Sequence, residues 1–292
     1  MISVIIPSYN QGQFIEESIL SVINQEGSDY ELIVVDNLSD DQTHSILDKY
    51  KNYISKIIIE ADAGQAAAIN KGLNVSKGDI VAWINSDDFY EGNNVFNLIE
   101  NYYHENDEVS FIAGDGYRVD KYGKIQGNFF PKHSFDFDLQ ALILGLNYLL
   151  QPSCFFNNKL IKKHSIKLNE DYHYGLDTDF LIRLAKITNP LVVRDVFSNT
   201  REYNNTKTMT GSLRRIDELR EIASKYSNRE ITPGVLCYLF DYIERASMND
   251  PDLGNPSFQG CLVKLWKEVS HIVFKKKNIE PNGFPFSKKK IK

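Results

Sequence analysis

The stretch IVAWINSDDFYEGN, Ile80 to Asn93, runs an apolar strand signal straight into two adjacent carboxylates, Asp87 and Asp88. Five of the six residues from Ile80 to Asn85 suit a buried strand. Two like charges side by side at the mouth of such a strand raise each other's cost of ionisation. Either the loop is simply solvated, or something positive sits between these carboxylates and a ligand.

Upstream, strand and helix rhythms alternate. ISVIIP (2–7), YELIVVD (30–36), KIIIEA (56–61) and DIVAWIN (79–85) read as strands. Between them, GQFIEESILSVINQ places Ile15, Ile19, Val22 and Ile23 on one helical stripe, with Glu16 and Glu17 in the first turn. SDDQTHSILDKY and GQAAAINKGLNV supply the next two helices. Near-continuous apolar strands alternating with helices predict an α/β fold, a mostly parallel sheet flanked by helices. Such sheets bind ligands beyond the carboxyl ends of their strands. That rule selects Pro7, Ser8, Tyr9 and Asn10, then Asp36, Glu60 to Gly64, and Asn85 to Asp88.

Past residue 109 the pattern changes. VSFIAGD reads as a strand, and YRVDKYGKIQGNFF as a hairpin turning at Lys121 to Lys124, with Gly123 at positive φ. Helices are expected over 135–150, 159–165, 176–187, 213–226, 233–245 and 257–277.

Composition restricts the function classes. The chain has 292 residues, 42% hydrophobic and 12% aromatic, enough for a sizeable core. Three widely spaced cysteines, Cys154, Cys237 and Cys261, give neither a disulfide framework nor zinc spacing, and point to a reducing cytoplasm. The first residues lack a basic leader region, and the longest mostly apolar run, 139–150, is too short to span a bilayer. The net charge of −6 hides an asymmetry: nine Lys and two Glu fall within 263–292. A basic end on an acidic body argues against nucleic acid binding by the body.

A lone acidic residue in a loop is usually a turn-former or a cap, and Asp40 and Asp41 read that way. Asp36, Asp62 and the pair Asp87 and Asp88, however, follow successive strands at one edge. Clustered charge of this kind needs a divalent cation or ligand donor groups to compensate it, and carboxylates suit Mg²⁺ or Mn²⁺ with phosphate oxygens. Neither GxGxxG nor GxxxxGK[ST] is present, which disfavours dehydrogenases and P-loop enzymes.

SVIIPSYNQGQFIEESILSVINQ, ELIVVDNLSDDQT, EADAGQAAAINKG, GDIVAWINSDD and LDTDFLIRL together resemble the family 2 glycosyltransferases of the GT-A (Rossmann-like) fold, over about residues 1–210. The resemblance implies a nucleotide-sugar half over 1–108, an acceptor-side half over 109–210, and a helical C-terminal extension over 211–292. It implies that Pro7, Ser8, Tyr9, Asn10 and Asp36 line the nucleoside pocket, and that Asp62, Gly64 and Asn70 belong to a segment closing over it. Asn85, Ser86 and Asp87 occupy the place of the DxD motif, with Asp87 the metal ligand and Asp88 its support. Asn85 replaces the first Asp of that motif, Ile69 stands where many members carry Arg, and Tyr203 stands where a His is often found. Asp177 matches the family's base; Gln151 and Asp179 fall on the acceptor side.

The implied activity is inverting transfer from a nucleoside-diphosphate sugar, a UDP-sugar, to a hydroxyl of a glycan or lipid-linked saccharide, in bacterial surface polysaccharide assembly. The alternative is a catalytically silent nucleotide-sugar-binding scaffold of the same fold.

At the far end, Phe258, Leu262, Leu265, Val269 and Ile272 form a helical stripe flanked by Lys264, Lys267 and Lys275 to Lys277. An ordinary helix packed on the domain or on a second subunit competes with an interfacial helix. The latter would place 257–292 on an anionic membrane, peripheral to the inner face of the cell membrane.

Overall fold

The structure, a computed structural model, describes residues 1–129, 137–145, 149–203, 206–207 and 213–249. The helix expected over 257–277 and Cys261 lie outside these residues, as do parts of the one expected over 135–150.

The first half follows the alternation. Strands β1 (Ile2–Ser8), β2 (Tyr30–Asp36), β3 (Lys56–Ile59) and β4 (Ile80–Trp83) are separated by α1 (Ile15–Ile23), α2 (Thr43–Tyr50) and α3 (Gln65–Val75). They pair in parallel in the order β3-β2-β1-β4. Alternation of side chains explains the layering, since β1 is buried on both faces. Along β1, Ile5 packs with Trp83 and the alanines of α3 on one face. Val4 and Ile6 pack with Ile15, Ile19 and Phe96 on the other.

Beyond β4 the sheet is mixed. Next come β5 (Phe89–Tyr90), α4 (Val95–Glu105), β6 (Phe111–Val119), β7 (Ile125–Asn128) and α5 (Leu139–Ile143). They are followed by a 3-10 turn (Gln151–Ser153), β8 (Cys154–Asn157), α6 (Asn158–Lys163), α7 (Leu176–Ala185) and β9 (Leu191–Arg201). The sheet continues β4-β8-β6-β9-β5, with β7 on β6. β8 runs antiparallel to both β4 and β6, while β9 runs parallel to β6. The hairpin β6–β7 turns at Gly123, φ 81°, as its sequence predicts. Helix α5 is shorter than expected, ending before Gly145 at φ 72°. The last two helices among the described residues, α8 (Leu213–Ser227) and α9 (Pro233–Asn249), pack on each other. Among the described residues no helix is long and apolar enough to cross a membrane.

Trp83 ties β4 to the later elements: it stacks on Phe156 of β8 at 4.8 Å and meets Phe180 of α7 edge-on at 5.4 Å. β9 closes over β6 where Gly114 leaves no room for a side chain; a Cβ there would lie 2.7 Å from the Asp195 carbonyl oxygen and would also meet the Phe197 ring. Gly114→Ala therefore forces β9 outward, an overpacking cost of about 1–3 kcal/mol. Urea denaturation should show a lowered midpoint at unchanged slope; an unchanged midpoint would mean that β6 and β9 are not this closely apposed.

Candidate active site

Strand register assembles the first part of the site. Ser8 lies beside Asp36, and Asp36 beside Ile59, so three strands end together. Asp36 is fully buried. Its Oδ1 accepts the Ser39 N–H at 2.9 Å and lies 2.7 Å from His44 Nε2, while Oδ2 accepts the Ser39 hydroxyl at 2.6 Å. Asn10, in the left-handed region at φ 51°, donates its N–H to Ser39 Oγ and accepts the Asp40 N–H, locking the first two turns together. Asp41 accepts the Gly12 and Thr43 N–H groups and acts as the turn-former its sequence context suggested.

The third turn is tied to the second: Asn37 Oδ1 accepts the Asp62 N–H at 2.9 Å, and Asp62 Oδ1 accepts the Gly64 N–H at 2.9 Å. Burial pushes the Asp62 carboxyl up from its ordinary range. Ser8 Oγ and Asp62 Oδ2 are both buried with no hydrogen-bond partner among the described residues. Buried polar atoms are nearly always partnered, so these two at one strand edge are left with capacity for a further polar group. Tyr9 stands beside them, 58% exposed, an uncovered ring at the same edge. Pro7, by contrast, is buried within β1.

After β4, Asn85 and Asp88 bond to each other, Asn85 Nδ2 donating to Asp88 Oδ2 at 3.0 Å. The other oxygen of Asp88 accepts the Arg201 N–H at 2.9 Å, so Asp88 is held within the protein, and Ser86 is buried beside it. Asp87 is half-buried, and its Oδ2 accepts the Tyr203 hydroxyl at 3.0 Å. Burial raises both carboxyl groups above the ordinary range, Asp88 well above it because the Asp87 charge adds to the penalty.

The Arg201 guanidinium is 1% exposed. It donates to the carbonyls of Asp87 at 2.8 Å, Lys121 at 3.0 Å and Asp120 at 3.3 Å, and pairs with Glu17. The sequence reading missed Arg201 as a site organiser, and no local signal marks it.

Asp177 sits in the first turn of α7, half-buried, with burial raising its carboxyl above the usual range. Its described hydrogen bonds come from Thr178 alone, both to Oδ1. Asp179, expected on the acceptor side, is differently occupied. Its Oδ1 accepts Lys225 at 2.9 Å and Tyr226 at 2.6 Å, and its Oδ2 accepts Arg183 at 2.8 Å. Burial alone would raise its carboxyl, but these donors bring it below the ordinary value. Glu218 of α8 grips the turn before α7, its Oε2 accepting the N–H groups of His173, Tyr174 and Gly175. Bonds from α8 thus cross the division expected at residue 210.

Gln151 and Asn70 are also engaged within the protein. Gln151 donates to the Trp83 carbonyl at 2.9 Å, and Asn70 bonds the Leu168 backbone in both directions and the Glu170 carboxylate. A further link is absent from the sequence reading: Gln65 donates to Asn85 Oδ1 at 2.6 Å and accepts from Lys207 Nζ at 2.8 Å.

Comparison with known proteins agrees with this geometry. Residues 3–165 match the profile described as Glycosyl transferase family 2. The poly(ribitol-phosphate) beta-N-acetylglucosaminyltransferase TarP of Staphylococcus aureus (strain N315) is 32% identical over 176 residues, 57% of this chain and 51% of TarP. The chain thus spans about half the length of that curated relative. S. aureus TarS 1–349 in complex with UDP-GlcNAc superposes with a TM-score of 0.62 at 19% identity, covering 93% of this chain and 81% of TarS. The mannosyltransferase PcManGT from Pyrobaculum calidifontis, in complex with GDP-Man and Mn²⁺, superposes with a TM-score of 0.60 at 15% identity, covering 93% and 82%. These likenesses establish the GT-A glycosyltransferase fold.

The raised carboxyl groups have a consequence for stability. A carboxyl whose folded pKa lies above its unfolded value stabilises the fold below the unfolded value and loses that contribution as pH rises through the folded value. Asp87→Asn removes one such group, relieves Asp88, and keeps an acceptor for Tyr203. Its thermal midpoint should exceed that of the ligand-free wild type by a few degrees at pH 8, about 2–4 °C per kcal/mol. The gap should close towards about pH 4, where the wild-type carboxyls are increasingly protonated; a gap independent of pH would refute this electrostatic origin.

Proposed function

Because the chain belongs to glycosyl transferase family 2, we propose that it is an inverting, metal-dependent transferase moving a sugar from a UDP-sugar to a hydroxyl of a glycan or lipid-linked saccharide. The observation that carries this reading is the Asp177 carboxylate. It is half-buried, shifted towards protonation and hydrogen-bonded only to its own neighbour Thr178 among the described residues. A general base works best when its pKa approaches the working pH, and burial moves Asp177 in that direction.

The donor's nucleoside belongs at the first three turns. The exposed Tyr9 ring offers a stacking face; Ser8 Oγ and Asp62 Oδ2 offer unsatisfied polar atoms; Pro7, Asn10, Asp36 and Gly64 shape the turns that carry them. The fold of PcManGT, solved with Mn²⁺, raises the question of a cation. The donor set suits a hard divalent ion shared with phosphate oxygens: Asp87 can turn a carboxylate oxygen to it, while Asp88 and Asn85 hold the turn in shape. Among the described residues no three acidic, His or Cys side chains form a metal cluster by themselves. Asp87 would therefore hold Mn²⁺ or Mg²⁺ jointly with the diphosphate. When bound, the ion neutralises charge on the leaving diphosphate.

In the transfer step the acceptor oxygen attacks the anomeric carbon, the bond to the diphosphate oxygen breaks, and the acceptor's proton passes to Asp177. One displacement inverts the centre, so an α-linked donor gives a β-glycoside. TarP is named for a poly(ribitol-phosphate) acceptor and TarS was solved with UDP-GlcNAc, which supports a uridine donor and a bacterial surface polymer as acceptor class. In this reading the basic segment 257–292 lies on the anionic inner face of the membrane, where a lipid-linked acceptor is held.

Asp177→Asn tests the reading. The amide is nearly isosteric but takes no proton at neutral pH, so UDP-sugar affinity should persist while kcat falls by roughly 10²–10⁴-fold. Asp179→Asn, which weakens the Lys225 and Arg183 pairs, should lower the melting temperature and retain most turnover per folded molecule. Undiminished kcat in the Asp177 variant would assign the base elsewhere.

A further inference from the structure

A diphosphate approaching this edge meets Asp62, Asp87 and Asp177, with the buried Asp88 beside Asp87, and a single divalent ion does not balance them all. Arg201, the most deeply buried cation here, is committed within the protein, its guanidinium held by three carbonyls and Glu17. Lys207 is placed otherwise. Its Nζ lies 2.8 Å from Gln65 Oε1, and the same Gln65 side chain reaches Asn85 in the turn that carries Asp87. The ammonium also lies over the Tyr174 ring at 5.9 Å, and among nearby carboxylates the Asp177 charge favours its protonated form most. The ammonium thus sits where the α3 N-terminus, the turn after β4 and the start of α7 converge.

We propose that Lys207 is a donor-binding residue whose ammonium grips the diphosphate of the sugar nucleotide from the side opposite Asp87. The proposal rests on the nucleotide-sugar reading above and adds a protein cation to it. Lysine binds phosphate as a point charge, and charge-assisted hydrogen bonds are about twice as strong as neutral ones. Burial strengthens the case. It pushes the Lys207 pKa down to about 8, Arg214 pushing the same way and Asp177 and Glu218 pulling back. A partly desolvated ammonium gains more from an arriving dianion than a hydrated one does. Gln65 holds the Lys207 ammonium and orients Asn85 with the same amide.

The test is isothermal titration of the full chain at pH 7 with Mn²⁺, using UDP and GDP, each against its nucleoside. Lys207→Met keeps the aliphatic stem and removes the charge. Losing one charged hydrogen bond should weaken the nucleoside diphosphate by about 10- to 100-fold and leave the nucleoside within about twofold. Lys207→Arg, which keeps the charge, should retain most of the affinity and guards against a folding defect. Unchanged diphosphate affinity in Lys207→Met, or equal weakening of diphosphate and nucleoside, overturns the assignment. A wild-type chain that binds neither UDP nor GDP refutes the donor reading itself, which separates the two failures.

Discussion

The buried guanidinium of Arg201 is the contact on which the site depends. Its donors reach the Asp87 carbonyl, two carbonyls of the β6–β7 turn and the Glu17 carboxylate of α1, and its Cζ lies over the Phe14 and Phe89 rings at 4.7 and 5.4 Å. Its backbone N–H supports Asp88. One residue at the end of β9 therefore fixes the turn after β4, the first helix and the hairpin. A buried charge is tolerated only when its hydrogen-bonding capacity is met, and removing one partner of such a set costs several kcal/mol. The position of Asp87 follows from this constraint, because its backbone is anchored by Arg201 and its carboxylate by Tyr203.

Charge at the site is arranged in two layers. The outer carboxylates, Asp87 and Asp177, keep capacity for a ligand, whereas Asp36, Asp88 and Asp179 are bound inward and hold turns and helices in register. The raised pKa values of Asp62, Asp87, Asp88 and Asp177 share burial as their largest cause. The ligand-free edge is thus electrostatically unfavourable, and a cation, a diphosphate-bound ion or a ligand donor relieves it. α8 contributes from outside the sheet, with Glu218 holding the turn ahead of Asp177 and Lys225 and Tyr226 holding Asp179 behind it.

Local pattern made the first four strands and three helices legible, because apolar runs and helical stripes there agree with the tertiary arrangement. The edge residues Ser8, Asp36, Asp62 and Asp87 were legible for the same reason: parallel strands end together, so the residue after each strand is placed by topology alone. β9 was not read. Arg194 and Asp195 interrupt its apolar pattern, and its strand character comes from pairing with β6 and β5. Arg201, Gln65 and Lys207 were invisible as a set, since their partners lie 20 to 184 residues away in sequence. The partners of Asp179 were hidden for a related reason, as the donors that occupy it come from a helix more than 40 residues on.

The central claim is that Asp87 is where the divalent ion and the donor's diphosphate meet. Crystals of the full chain grown with UDP and Mn²⁺, measured at the manganese absorption edge, address it directly. The account predicts an anomalous peak within about 2.5 Å of an Asp87 carboxylate oxygen and bridging the diphosphate. A manganese peak elsewhere, or UDP bound at the strand edge with no metal beside Asp87, would contradict it.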